Sequence, residues 1–204
     1  MTKISLLLSA AALAATGASA QSANIIVVDQ VQAINNSSAM TTAIGQIKTT
    51  YAANIAQVDA RAKTLDTDLR AKASAFDTAR RATNGSKVAL QNQYAALQAA
   101  QQSAQSELAG MAAPYEKAKE YAVEQIAGHL PTALKAVMAR RGASLVLAPQ
   151  QQVVVSYNPA LDATTDLTTE LNTEVPVVSI AVPANWQPGQ AVPGATPAAA
   201  GPGR

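Results

Sequence analysis

The sequence has no cysteine at all, and aromatic residues make up only 3% of it. Without thiols there is no disulfide staple, no thiolate nucleophile and no cysteine-held metal, so stability has to come from packing or from partner subunits. Histidine is nearly absent too. The single one, His129, stands beside Pro131 and remote in sequence from any carboxylate cluster, which leaves it no partners for metal binding or acid-base work. No phosphate loop, dinucleotide fingerprint or nucleophile elbow occurs. A formal net charge of +2 gives little attraction for nucleic acid. The reading is therefore non-enzymatic, with no catalytic residue, no metal and no cofactor. Large apolar side chains are also scarce: the chain is 49% hydrophobic, but alanine dominates that figure. Alanine favours helix and buries little area, so long helices form readily while a closed interior does not.

What is present begins with an export signal. Lys3 supplies a positive start, Ile4 to Gly17 an apolar run, and Ala18-Ser19-Ala20 a cleavage signature. The run is shorter than the roughly 20 residues a spanning helix needs. Residues 1–20 are expected to be a signal peptide cleaved after Ala20, which sends the protein to the periplasm, and the missing cysteine excludes a lipid anchor. Residues 21–40 open a β body. Ile25, Ile26, Val27 and Val28 form a β-branched run suited to a strand buried on both faces, Asp29 caps a short helix over Gln30 to Asn35, and Ser37 or Ser38 caps the next element.

Residues 41–141 carry two helical seams. The first runs through Ile44, Ile47, Tyr51, Ile55, Val58, Ala62, Leu65, Leu69, Ala73 and Phe76; the second runs through Leu90, Tyr94, Leu97, Gln101, Ala104, Leu108, Met111, Tyr115, Ala118 and Ala122. Between them, Thr83-Asn84-Gly85-Ser86 supplies a helix stop and a new cap, hence a hairpin tip near 83–86. Matched periods joined by a tight turn predict an antiparallel coiled coil, and the outgoing helix from Thr41 to Thr83 would reach roughly 60 Å. Pro114 is expected to break the returning helix, with Gly110 and Pro114 marking a hinge, and Pro131 to start a fresh helix ending near Arg140-Arg141-Gly142.

Residues 142–182 return to the body. Leu145, Val146 and Leu147 read as one strand and Val153, Val154 and Val155, continuing to Tyr157, as another, joined as a hairpin. Asp162 then opens a short helix over Thr164 to Thr173, and Val175 to Val182 reads as an edge strand weakened by Pro176 and Pro183. Residues 183–204, rich in Pro, Ala and Gly, read as a disordered tail, in which Trp186 would report docking.

The fold class is thus α+β and mostly α: a small β body with a long antiparallel helical hairpin projecting from it. So few strands per chain are marginal alone, and oligomerisation is expected to complete the body. The segment Ile25-Ile26-Val27-Val28-Asp29-Gln30 with Asn35-Asn36-Ser37, and the segment from Leu145 through Val153-Val154-Val155-Ser156-Tyr157-Asn158-Pro159-Ala160-Leu161-Asp162-Ala163-Thr164, resemble the two ends of the Skp/OmpH periplasmic chaperones. The resemblance spans about Asn24 to Asn172. It implies a homotrimer with a β body and helical arms around a cavity, which holds unfolded outer-membrane β-barrel proteins without ATP. It also implies transient contact of the arms with anionic lipid or lipopolysaccharide.

Charge fits that implication on one arm only. Between Asp59 and Lys87, seven basic residues (Arg61, Lys63, Arg70, Lys72, Arg80, Arg81, Lys87) face four acidic ones, whereas Val88 to Ser106 carries no charge. Those cations and Phe76 are the expected client contacts. The uncharged returning arm departs from the family's pattern. A structural coiled-coil protein of the cell envelope, holding no clients, is the competing reading; an efflux adaptor would need flanking modules for which the chain outside the arms is too short.

Overall fold

The computed structural model describes residues 24–82, 86–149, 154 and 156–190. Within them the order is β1 (Ile25–Val27), α1 (Gln30–Asn35), α2 (Ser38–Thr50), α3 (Ala52–Arg81), α4 (Lys87–Ala127), α5 (Leu130–Arg141), β2 (Leu145–Leu147), a 3-10 turn (Pro159–Leu161) and α6 (Thr164–Glu174). The start of α1 is fixed by Asp29, whose carboxylate accepts the Gln32 N–H at 2.8 Å. The Ser37 hydroxyl, fully buried, accepts from Met40 N and donates to Ile34 O, closing α1 and opening α2 with one side chain.

The two strands pair in parallel, with Ile25 opposite Leu145, Ile26 opposite Val146 and Val27 opposite Leu147. The expected hairpin partner of Leu145–Leu147, the run from Val153 to Val155, lies mostly outside the described residues. A parallel pair needs a long crossover, and the whole helical section supplies it. Gly142, at φ 61°, ends α5 in the left-handed conformation and turns the chain back beside β1, where Ser144 N donates to Asn24 O at 2.8 Å. Val154, Ser156 and Tyr157 are not in a strand, while Val153 and Val155 lie outside the described residues. On its other side β1 meets Asp162 through a single bridge at Val27. The edge strand expected at Val175 to Val182 does not form. Pro176 and Pro183 lack the N–H groups a ladder needs, and the segment runs extended with Val175 and Val178 turned inward.

The core sits where the strands, α1, α2, the end of α4, α5 and α6 converge. Val28, Met40, Ile126, Val137, Leu167 and Leu171 are all fully buried there. Beyond that base, α3 and α4 run antiparallel: Asn54 meets Met111, Arg61 meets Glu107, and Phe76 stacks on Tyr94. The tip, residues 83–85, is outside the described part.

The expected breaks fall differently. The outgoing helix is divided at Tyr51, at φ −102° and ψ 17°. Gly45 and the β-branched pair Thr49-Thr50 weaken the helix before it, and the Thr49 hydroxyl bonds back to Gly45 O. The returning helix, by contrast, continues for 41 residues with Pro114 inside it. One of the carbonyls in that turn, that of Met111, takes a 3.1 Å bond from the Asn54 side-chain amide of the facing helix. Pro131 stands in the first turn of α5, as a proline there should.

Candidate functional site

The helix pair presents its seam only half covered. Seam positions from Tyr51 to Phe76 are partly buried, yet none of the 30 residues of α3 is fully buried. On α4 the seam holds at Leu90, Leu97, Ala104, Leu108, Met111 and Tyr115, whereas Gln101 and Tyr94 are exposed. Along the arm each long helix packs chiefly against the other, and among the described residues most of the seam is left only partly buried. Val88 and Tyr94 stand 64% and 50% exposed, and the Tyr94 ring centroid lies 5.8 Å from that of Phe76.

The cations divide by partner. Arg61 reaches across the pair and forks onto Glu107, with Nε at 2.6 Å and Nη2 at 3.0 Å from its two oxygens. The hydrogen bond from Arg61 holds the Glu107 carboxyl below the ordinary glutamate range, and the same bond, with Glu107's charge, raises Arg61. Arg70 pairs with Asp66 and Arg80 with Asp77, each within one turn of α3. Lys63, Lys72, Arg81 and Lys87 form no ion pair among the described residues and are exposed. Four of the seven cations therefore remain unpaired among the described residues, spread over more than one face of the pair toward the tip, and Arg61 belongs to the framework. Glu107 was the residue that sequence reasoning missed. It is the first charge after the neutral stretch Val88 to Ser106, and in an antiparallel pair that lone acid needs a cation opposite.

Of the residues expected to build an oligomer, three of the eight described are buried within the protomer, while Ile25, Val146, Leu147 and Val154 are partly buried. Ile26, Val27 and Val28 are 3%, 2% and 0% exposed, packed under α5 and α6. Leu145 is 45% exposed, and among the described residues β2 has a strand neighbour on one side only. Gly110 and Pro114, the expected hinge, lie in unbroken helix, and a Cβ on Gly110 would meet nothing within 4 Å. His129, remote in sequence from any carboxylate cluster, lies with Nδ1 3.8 Å from the single carboxylate of Glu174, at Oε2.

Charge also ties the base together. Arg141 Nε bonds Asp166 Oδ2 at 2.5 Å and Arg140 pairs with Glu170, fastening α5 to α6. Asp162 accepts from Thr164 N at 2.8 Å and from Tyr157 Oη at 3.1 Å. Burial alone would raise the Asp162 carboxyl, but the bonds from Thr164 and Tyr157 and the nearby Arg141 outweigh it and hold it low; Tyr157 is raised, chiefly by its bond to Asp162.

The expected tail is docked for its first part. Trp186, 4% exposed, packs edge-on against Tyr121 with ring centroids 5.1 Å apart, beneath Lys117. Residues 191–204 lie outside the described part. Composition hid this contact because proline and alanine dominate around a single large anchor.

Among the described residues no group of three or more His, Asp or Glu side chains is placed to hold a metal, and no helix is long and apolar enough to cross a membrane. No curated protein sequence matches the chain. A crystal structure from Caulobacter crescentus, described as that of a candidate OmpH-like outer membrane chaperone, is 23% identical and covers 77% of this chain and 88% of its own, with a TM-score of 0.44. The profile of the family described as outer membrane protein (OmpH-like) matches residues 24–171, the stretch from the first strand to the last helix. The chain belongs to the OmpH-like outer membrane protein family.

Proposed function

We propose that the protein is a non-enzymatic, ATP-independent holding chaperone of the periplasm that shelters unfolded outer-membrane β-barrel proteins between helical arms. The observation that carries this reading is the half-covered α3–α4 pair. A 30-residue helix with no buried residue, facing a 41-residue partner, offers apolar and basic surface over a length of about 45 Å. An exposed strand of an unfolded barrel protein needs that combination, since its apolar side chains require cover and its acidic ones a cation. Lys63, Lys72, Arg81 and Lys87 supply the charge, and Phe76 with Tyr94 and Val88 the apolar contact. The side of β2 that has no strand neighbour among the described residues, with Leu145 exposed, supports assembly of several chains into one body, a trimer in this reading, so that arms enclose a space. Residues 1–20 act as the export signal, and these exposed cations also allow transient contact with anionic lipid or lipopolysaccharide.

The test uses the chain without residues 1–20. Light scattering gives its mass, and a urea-unfolded barrel protein is then diluted into it. A trimer that keeps one client soluble is the expected result. Reversing charge at Lys63, Lys72, Arg81 and Lys87 should weaken that binding and flatten its salt dependence. An assembly that leaves the client aggregating returns the reading to a structural protein of the envelope.

A further inference from the structure

The segment Ser179 to Gly189 lies along one face of α4, and the way it is held says what that face can hold. The Gln125 side-chain amide pairs with both main-chain groups of Ser179, donating to its O at 2.8 Å and accepting from its N at 3.0 Å. One turn earlier, Tyr121 takes the Trp186 ring edge-on at 5.1 Å, and Lys117 Nζ lies 5.9 Å from that ring's centroid. Glu124 Oε1 accepts the Gly189 N–H at 2.5 Å. Lys117, Tyr121 and Gln125 are four residues apart and, with Glu124 three residues after Tyr121, share one stripe of the helix. Two of these contacts read main chain, one at Ser179 and one in the turn at Gly189, and two read a ring.

We propose that this face of α4 is a recognition site for a polypeptide segment bearing an aromatic side chain, occupied in cis by Ser179–Gly189 as a displaceable stand-in. The present occupant fits imperfectly. Trp186 Nε1 and Glu124 Oε2 are both buried with no hydrogen-bond partner among the described residues. Phenylalanine would bring no indole N–H to leave unmet, and a segment with one more free main-chain N–H would satisfy Glu124. Main-chain reading with one ring pocket is tolerant of sequence, which suits unfolded chains. The proposal rests on the chaperone reading for its natural ligand, and there the strap would yield to a client.

The protein's single tryptophan makes this directly visible. The probe is the strap's own sequence with phenylalanine in place of tryptophan, Ser-Ile-Ala-Val-Pro-Ala-Asn-Phe-Gln-Pro-Gly, added to the full chain lacking residues 1–20. A tethered occupant competes at an effective concentration on the order of millimolar, so the peptide is titrated through that range. The expected result is a red shift of Trp186 emission as the ring leaves Tyr121, the same shift on adding a tryptophan-free unfolded barrel protein, and client binding several-fold tighter in Trp186→Ala. Adding Tyr121→Ala to that variant should reverse the gain. Emission unmoved by the peptide overturns the site. A client held with no shift, and bound equally by Trp186→Ala, makes the strap a fixed brace and leaves the chaperone reading standing. A peptide shift with no client held overturns the chaperone reading and upholds the site as a peptide site.

Discussion

At the base of the molecule Met40, Ile126, Leu167 and Leu171 have no solvent exposure, while along α3 Leu65 and Leu69 keep part of theirs although they follow the same helical spacing. Both regions draw on the same alanine-rich composition. The difference lies in how many elements surround each helix. At the base, strands and five helices make up the core; in the pair, one helix meets chiefly one other. Periodicity tells which face turns toward a neighbour, and the number of neighbours decides how deeply that face is buried. In a holding chaperone the shallow burial is useful, because surface left uncovered by the fold is what a client can cover.

The largest effect expected from this contrast is in paired truncations. Leu167→Ala removes a side chain from a closed core and should cost about 2–5 kcal/mol. Leu69→Ala, in the half-open seam, should cost roughly 1 kcal/mol. Urea unfolding of both variants measures the gap, and equal losses would mean that the pair is covered as deeply as the base. Next in size is Gly142→Ala. Its Cβ would meet only Asn24 Nδ2 at 4.0 Å, so the cost is that of the left-handed backbone at φ 61°, about 1–2 kcal/mol. That loss should fall on the β1–β2 pairing and leave hydrogen exchange along the helix pair unchanged.

The seam, the first capping aspartate, the stop at Gly142 and the start at Pro131 were legible in the sequence because each rests on local chemistry within a few residues. Strand partnership was not. Leu145-Val146-Leu147 carries no local sign that its neighbour lies about 120 residues away at Ile25, and the nearer Val153 to Val155 run was the natural partner to expect. The strap was hidden for a related reason, since its anchor is one tryptophan in a stretch whose composition reads as tail. Of the site, the basic stretch was readable. Its division into framework and open cations required knowing that Arg61 faces Glu107.

A smaller effect, and of opposite sign, is expected at Pro114. The proline deprives Gly110 of its amide partner inside an otherwise unbroken helix. Pro114→Ala should restore that bond and stabilise the pair by about 1 kcal/mol, with slower hydrogen exchange through residues 108–118 and none of the gain at the base. If distances between spin labels near the tip stay as in the parent and client capacity is kept, Pro114 is no hinge, in keeping with its position in continuous helix.

The smallest effect is electrostatic and sharpens the contrast by pH. Glu107 is held below its unfolded range by Arg61, so its contribution is fully present above the unfolded glutamate value, near 4.3, and is lost as pH falls through the lower folded value. Asp162 is held low in the same sense, but at the base. Acidification therefore removes one link from each region, and the consequences should differ. The base keeps its apolar core and its Arg140 and Arg141 pairs with Glu170 and Asp166 until those acids titrate as well. The pair loses its one ion pair that crosses from α3 to α4 among the described residues, with only a half-buried seam behind it. Hydrogen exchange followed from pH 6 to pH 3 should accordingly rise first around residues 58–65 and 104–110, and Glu107→Gln should show that raised exchange already at pH 6. Exchange that rises at the base before the pair would reverse the order of stability argued from burial.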